Sequence, residues 1–265
     1  MEGEKFDVFL KKERLPLLIE IAKITAEFRG ILVYEASQIS KYSWGFLGEN
    51  LSGEDADKLL AISAAHGLEA GKAVTSSFSA RAKESLSINY LDFENGKLNY
   101  GSPAFREPRP LNELVVTAYA SIKHNLSKTI KVKEGPSAGE KAVRLGIMMT
   151  TGLPIGMGKS KEVSKELKSV EMTLYMELIF SDGLRLSLNS DKFDFSCLKE
   201  KKTYSSQMNF ALLCLELAKH APGALKNTGM FDVLEKKLIP TLQYDSPSDL
   251  EKEIKRLLLL SPAGL

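Results

Sequence analysis

The feature that most constrains the fold is a run of alternating residues from Val170 to Phe180. Every second side chain in it is apolar, and Glu171 and Glu177 lie on the other face. This period of two predicts a β-strand with one buried face and one face in solvent, so the two glutamates are not expected to form an acid–base pair. After a Ser-Asp-Gly sequence the alternation resumes at Leu184. A three-residue loop with Gly183 left-handed places Phe180 opposite Leu184, so we predict an antiparallel hairpin.

A second hairpin is predicted around Asn95-Gly96, a dipeptide that strongly favours a two-residue turn between antiparallel strands. With this turn Phe93 lies opposite Leu98, and Leu91 lies opposite Tyr100. Both pairs are apolar, so the register is self-consistent. Further strands are predicted at residues 114–120 and 130–133. The middle of the chain is therefore expected to form a sheet between neighbouring segments.

The two ends of the chain are predicted to be helical. From Met1 to about Ser85 apolar residues recur at helical spacing, Gly30 is a candidate helix end, and Ser52 is a candidate cap of a helix that continues past Gly71. Three more helices are predicted at residues 205–220, 230–238 and 247–260. We therefore predict an α+β protein with a helical N-terminal region (1–85), an antiparallel β domain (86–222) and a C-terminal helical extension (223–265).

Charge and composition exclude several classes of protein. The chain has 36 Lys and Arg against 34 Asp and Glu, so no nucleic-acid partner is expected. No uncharged run approaches the roughly 20 residues of a membrane-spanning helix, and the mixed charges of the N-terminus fit no targeting peptide. Two cysteines do not make a disulfide framework, so we expect a cytoplasmic protein. The three histidines show no metal-ligand spacing, so neither a metal nor a cofactor is expected.

Three single residues also lead to predictions. Trp44 lies in an irregular, glycine-containing segment and is expected to anchor it to the core, and Cys214 lies on an apolar helical stripe and is expected to be buried. Cys197, beside Lys199, is a candidate reactive thiol, although the sequence places no histidine near it.

A glycine-rich insert at residues 135–160 is the most unusual segment. Residues 145–158 carry no charge and are bracketed by Arg144 and Lys159. The apolar side chains of such a segment can be buried by a partner protein or by a second copy of the chain. Because its flanks are basic, an anionic lipid surface can also bury them. We therefore predict a non-enzymatic binding or interaction protein, either self-associating or peripheral at the membrane. Its candidate binding residues are Arg144, Ile147, Met148, Met149, Ile155, Met157, Lys159 and Lys161.

Two enzymatic alternatives stay open in the same insert. Residues 152–160 are similar to the phosphate-binding loop of nucleotide-binding proteins, with a helix-like sequence after them, although the glycine spacing is one residue longer. Residues 135–139, Gly-Pro-Ser-Ala-Gly, and residues 151–154, Thr-Gly-Leu-Pro, resemble the nucleophile region of Lon-type proteases. That resemblance implies a hydrolase in which Ser137 is the nucleophile and Lys199, which lies in a similar lysine motif, is the base.

A longer resemblance covers residues 86–220. The Asn95-Gly96 hairpin, an insert that ends in Gly-Lys-Ser-Lys at 158–161, a strand–turn–strand at 170–188 and a helix at 204–218 follow one another in order. This order is similar to that of bacterial PH-like domains in SHOCT-type uncharacterised proteins. The resemblance implies a strongly bent β-barrel or sandwich capped by a C-terminal helix, and a binding role without established catalysis.

Overall fold

The computed structural model of the protein describes residues 4–78, 84–102, 104–134, 161–237 and 244–261, without the side chains of 77–78, 123–134 and 161–171. The chain divides into two compact units, Met1–Lys123 with Met172–Leu265, and His124–Glu171. Its mixture of helices and antiparallel sheets confirms the α+β class. The glycine-rich insert lies outside the described residues, and the domain boundaries near residues 85 and 222 stay predictions.

The N-terminal region contains a three-stranded antiparallel sheet beside its helices, and the prediction of a helical region missed these strands. Its elements are β1 (Phe6–Leu10), α1 (Leu18–Arg29), α2 (Val33–Ser40), β2 (Phe46–Leu51), α3 (Gly53–Ala65) and β3 (Ala70–Val74). β1 is the central strand and pairs with both β2 and β3. Val8, Phe9 and Leu10 are all buried, because a strand covered on both faces carries a continuous apolar run. Such a run also fits helical spacing, so the pattern does not separate the two structures.

The helix ends in this region follow the sequence signals, with one exception. Gly30 caps α1 in the left-handed conformation (φ +66°), and its N–H donates to the Ala26 carbonyl. Ser52 caps α3 and accepts a hydrogen bond from the Asp55 amide at 3.1 Å. The prediction that this helix continues past Gly71 is wrong, because that segment pairs with β1 as strand β3.

The described part of the remaining chain adds two more sheets. Its strands are β4 (Leu86–Ile88), β5 (Tyr90–Glu94), β6 (Lys97–Ser102), β7 (Phe105–Pro110), β8 (Leu114–Glu134), β9 (Lys161–Phe180), β10 (Arg185–Asn189) and β11 (Leu225–Lys226). Strands β5, β6 and β7 form one antiparallel sheet. The other five strands form the second sheet in the order β11-β8-β9-β10-β4. β10 pairs with β4, and β11 with β8, in parallel, so this sheet is mixed and the prediction of antiparallel pairing holds only in part.

Both predicted hairpins are confirmed. In the first, Phe93 pairs with Leu98 and Leu91 with Tyr100, and Asn95 has a positive φ that suits the two-residue turn. In the second, the Phe180 amide donates to the Leu184 carbonyl at 2.9 Å across the three-residue loop. Turn chemistry fixes the register of each hairpin locally, which is why the sequence alone predicts it.

The helix-like sequence after residue 160 is a strand, so that part of the phosphate-loop interpretation is wrong. Val163, Leu167 and Val170 have helical spacing in the sequence. The segment instead forms the first half of β9, which lies between β8 and β10 in the five-stranded sheet. Strand formation within the sheet outweighs a local helical pattern here, because sheet context dominates intrinsic preference.

Three helices lie in the C-terminal part: α4 (Ser206–His220), α5 (Thr228–Leu234) and α6 (Pro247–Leu260). The stripe predicted on α4 is buried and packs in one apolar cluster with residues of β5, β6, β9 and β10. Cys214, on this stripe, is fully buried as predicted. The α6 bounds match the prediction, and Ser246 caps the helix by accepting from the Asp249 amide. None of the described helices is long and apolar enough to cross a membrane.

Helix α6 fastens the N-terminal segment to the rest of its unit. The fully buried Arg256 guanidinium donates to the carbonyls of Trp44 (3.1 Å) and Glu13 (2.9 Å), and also to the Lys12 carbonyl. Trp44 is buried, as predicted, and stacks on Tyr244 with ring centroids 4.3 Å apart. Polar and aromatic contacts between distant parts of the sequence therefore hold this region together.

Candidate interaction surface

Most of the predicted site residues lie outside the described residues. Lys161 begins β9, with its backbone described but not its side chain. Lys199 lies in the short 3-10 segment Phe195–Lys201, where its side chain is described. The other predicted binding or catalytic residues are outside the described part of the chain: Ser137, Arg144, Ile147, Met148, Met149, Ile155, Met157 and Lys159.

Lys199 lines a cleft of about 370 Å³ together with Cys197 and His220. Its backbone has φ 52° and ψ −126°, a positive φ that a residue with a side chain rarely adopts. The structure thus brings a histidine into the cleft of Cys197, a proximity that the sequence does not indicate. The remaining lining residues are Asp92, Phe93, Leu198, Glu200, Lys201 and Glu216.

The chemistry of this cleft does not favour nucleophilic catalysis. Burial, reinforced by the carboxylates of Asp92 and Asp194, raises the pKa of the Cys197 thiol to about 12. At neutral pH the thiol is therefore protonated and a weak nucleophile. The His220 ring stacks on Phe93, with centroids 4.6 Å apart. Among the described residues, no group of His, Cys, Asp and Glu side chains could hold a metal ion.

The prediction from the alternating pattern that Glu177 lies on a solvent-exposed face is wrong. Its face of β9 is not solvated: only 6% of Glu177 is exposed, because this face lies against α6. Glu177 accepts hydrogen bonds from Arg185 Nε (2.8 Å) and Ser187 Oγ (2.7 Å). Arg185 also pairs with Glu251 on α6, and although burial opposes it, the two carboxylates raise the pKa of Arg185. Glu177 therefore has a structural partner.

The surface of α1 and α2 carries an excess of exposed apolar side chains. Twelve large apolar residues in the described part of the chain are exposed, and seven of them fall within residues 17–42. Exposed apolar groups concentrated in this way are typical of interaction sites. We name this set the α1–α2 surface; it consists of Leu17, Ile19, Leu32, Val33, Tyr34, Ile39 and Tyr42.

Close packing of the two helices explains why these residues point outward. Small residues, Ala22, Ala26 and Ala36, form the buried contact between α1 and α2. Thr25 and Ser40 add a buried hydrogen bond between their hydroxyls at 3.0 Å. Because small side chains let the helices approach closely, the larger apolar residues lie outside the contact.

A cavity of about 180 Å³ lies beside Leu17, and we name it the Leu17 cavity. Leu17 lines the cavity yet is 63% exposed, so the cavity reaches the surface at this residue. Much of the wall is apolar, and Trp44 and Phe231 are among its residues. The complete lining is Arg14, Leu15, Pro16, Leu17, Leu18, Ile21, Ser40, Trp44, Gly45, Thr228, Phe231, Asp232 and Lys237.

The charged groups at this cavity are already paired. Arg14 donates to both carboxylate oxygens of Glu235, and Lys237 Nζ lies 2.7 Å from Asp232 and 3.2 Å from Glu235. Hydrogen bonds from Arg14 and Lys237 lower the pKa of Glu235. An apolar group could therefore enter the cavity without separating an ion pair.

The sequence contains a weak signal for this surface. Its helical stripe runs through Leu17, Leu18, Ile21, Ile24 and Phe28, and Ile19 is an apolar residue that lies off that stripe. A helix with more apolar residues than one buried face accommodates must expose some of them. The cavity has no such signal, because Trp44 and Phe231 reach it from distant parts of the sequence.

No family model, curated protein or solved structure was found to match this chain. The geometry of the chain itself is therefore the basis for its proposed function.

Proposed function

We propose that the chain is a non-enzymatic interaction protein that buries apolar surface when it associates. The observation that carries the proposal is the α1–α2 surface, where Leu17 is 63% exposed, Leu32 71% and Tyr34 76%. Leaving such side chains in water costs about 25 cal/mol per Å² of apolar area, which a partner recovers by covering them. Tyrosine is also enriched in protein interfaces, because its ring is apolar and its hydroxyl remains polar.

The second contact element that we propose is the charge-free segment 145–158. The strands before and after the insert, β8 and β9, have 21 and 20 residues, whereas most strands have about 5–6. Residues 124–171 contain nine Lys and Arg but five Glu, against 27 Lys and Arg and 29 Asp and Glu elsewhere. The candidate contact residues remain the apolar Ile147, Met148, Met149, Ile155 and Met157 with the basic Arg144, Lys159 and Lys161.

The partner that we favour is a second copy of the chain. Both apolar elements belong to one polypeptide, so self-association needs no further molecule. The basic flanks would also suit anionic lipid and a peripheral membrane location, and a different protein could cover the same surfaces. These two partners are outcomes of the experiment below.

We also propose that residues 86–220 form a PH-like domain with a binding role. Its support is the order of described elements: the β5–β6 hairpin, the β9–β10 hairpin and α4, whose buried stripe shares one apolar cluster with both hairpins. A closing helix packed on the sheet agrees with the resemblance. A domain of this kind supplies a scaffold for binding and does not require catalytic residues.

Neither enzymatic alternative gains support from the described residues. A hydrolase with Ser137 needs a desolvated lysine as base, whereas Lys199 is exposed. A phosphate-binding loop at 152–160 needs a helix after its lysine, whereas Lys161 begins β9. The non-enzymatic proposal therefore agrees better with these two positions.

The test is the association of a chain in which Met148, Met149 and Met157 are replaced by serine. Its matched control is Met172→Ser with Met208→Ser, since these two methionines are 55% and 58% exposed elsewhere on the protein. Light scattering coupled to gel filtration measures the mass, and sedimentation with phosphatidylcholine vesicles, with or without phosphatidylserine, measures lipid binding. We expect the wild type and the control to exceed the monomer mass and the test variant to be monomeric.

Three outcomes would contradict parts of this proposal. Equal association of all three chains would remove segment 145–158 from the contact. Loss of binding to phosphatidylserine vesicles without any change in mass would make anionic lipid, and not a second copy, the partner. A monomeric wild type that binds neither vesicle would overturn self-association.

A further inference from the structure

We infer that the Leu17 cavity is the docking site for segment 145–158 of a second copy, with one methionine of the segment entering the cavity. This inference rests on the proposed function and adds the place and the chemistry of the contact. Three observations support it: the size and lining of the cavity, the paired charges at its rim, and the composition of the segment.

The cavity has the size of one apolar side chain. Its volume is about 180 Å³, and a cavity of about 150 Å³ lined by apolar side chains is large enough to bind benzene. Leu18, Ile21 and Phe231 supply apolar wall, and the exposed Leu17 lies where the cavity meets the surface. This combination of an apolar pocket and an exposed apolar rim is the usual setting for an anchor residue in an interface.

The charges around the cavity do not oppose an apolar occupant. Arg14, Asp232, Glu235 and Lys237 form ion pairs among themselves. Residues 145–158 contain no charged side chain. Docking therefore buries no unpaired charge, which would otherwise be a large penalty. Asp232 is buried, whereas the side chains of Arg14, Glu235 and Lys237 are 52%, 37% and 27% exposed, so water still reaches these three.

The composition of segment 145–158 suits an irregular, largely apolar cavity. It contains Met148, Met149 and Met157, whose unbranched side chains adapt to irregular cavities. A methionine sulfur makes favourable contacts with aromatic residues, and Trp44 and Phe231 are among the residues that line the cavity. The glycines at 146, 152, 156 and 158 allow a backbone to approach a surface closely.

The contact joins two different surfaces, so it is head-to-tail. The segment of one copy occupies the cavity of the next, and the second copy still offers its own segment. Such an interface produces a closed ring or an open chain of molecules, not a two-fold dimer with one interface. Because the segment and the cavity are separate surfaces, one can be altered in one chain and the other in a second chain.

Leu17 and Met208 provide a matched pair of substitutions. Leu17 is the N-cap residue of α1, Met208 lies in the first turn of α4, and the two side chains are 63% and 58% exposed. Aspartate is favourable at an N-cap and in a first helical turn, so Leu17→Asp and Met208→Asp should both fold. Only Leu17 lines the cavity, so only Leu17→Asp places a charge at the docking site.

The experiment measures mass by analytical ultracentrifugation, in full-length chains and in a chain lacking residues 145–157. We expect Met208→Asp to associate like the wild type, and Leu17→Asp and the deletion each to be monomeric. Mixing these two monomers should restore a 1:1 complex, because one supplies the segment and the other supplies the cavity. A deletion chain that also carries Leu17→Asp should form no complex with the deletion chain.

The outcomes separate this inference from the proposed function. If the deletion abolishes association but Leu17→Asp does not, the segment is a contact element and the cavity is not its site. If the deletion leaves association unchanged, the proposed role of the segment fails as well. Equal losses in Leu17→Asp and Met208→Asp, or no complex in the mixture, would also overturn the docking site.

Discussion

Cys197 and Glu177 carry side chains that often take part in catalysis. In both cases the surrounding residues make a catalytic role unfavourable. Burial raises the pKa of the Cys197 thiol to about 12, and Arg185 together with Ser187 occupies the Glu177 carboxylate. The sequence correctly places Cys214 in the core but assigns Glu177 to solvent. The difference is physical: one apolar stripe predicts Cys214, whereas the cover over Glu177 comes from α6, far along the chain.

The thiol of Cys197 is expected to be inert at pH 8. With a pKa near 12, its thiolate fraction is roughly a thousandfold below that of a free cysteine of pKa about 8.5, so labelling should slow by a comparable factor. The check is the rate of reaction with a disulfide reagent in native buffer and in guanidinium chloride, with Cys197→Ser to assign the signal. A native rate close to the denatured rate would contradict this assignment.

At the scale of elements, local signals succeed and contacts between distant segments are missed. Both hairpins and helix α6 follow from turn and cap residues within a few positions. Strand β1 pairs with two strands, and the first half of β9 belongs to a long strand of the five-stranded sheet, so both contradict their helical patterns. The α1–α2 surface has a faint sequence signal, while the Leu17 cavity has none. The sequence therefore predicts local structure, but it does not predict structure that depends on contacts between distant elements.

Helix α6 supplies the clearest test at this scale. Arg256→Met leaves the carbonyls of Lys12, Glu13 and Trp44 without their buried donor, and should lower the free energy of unfolding by about 3–5 kcal/mol. Lys252→Met, on the same helix, breaks a partly exposed pair with Glu49 and should cost about 0–1 kcal/mol. Urea denaturation measures both. Similar losses in the two variants would show that Arg256 does not fasten the N-terminal segment.

At the scale of the whole molecule, apolar surface and charge are unevenly distributed. Exposed apolar side chains concentrate on α1 and α2, and positive charge concentrates in residues 124–171 around a charge-free segment. The near-neutral net charge of +2 conceals this asymmetry. An interaction protein that joins its own copies head-to-tail accounts for both features, because one copy supplies the cavity and the next supplies the segment.

The most direct test is a titration of the chain lacking residues 145–157 with a synthetic peptide of residues 144–159. The emission of Trp44 reports the binding, because Trp44 is the only tryptophan and lines the cavity. We expect a saturable change in emission that Leu17→Asp abolishes and Met208→Asp preserves. An unchanged emission across the titration, or an equal response in the Leu17→Asp chain, would contradict it.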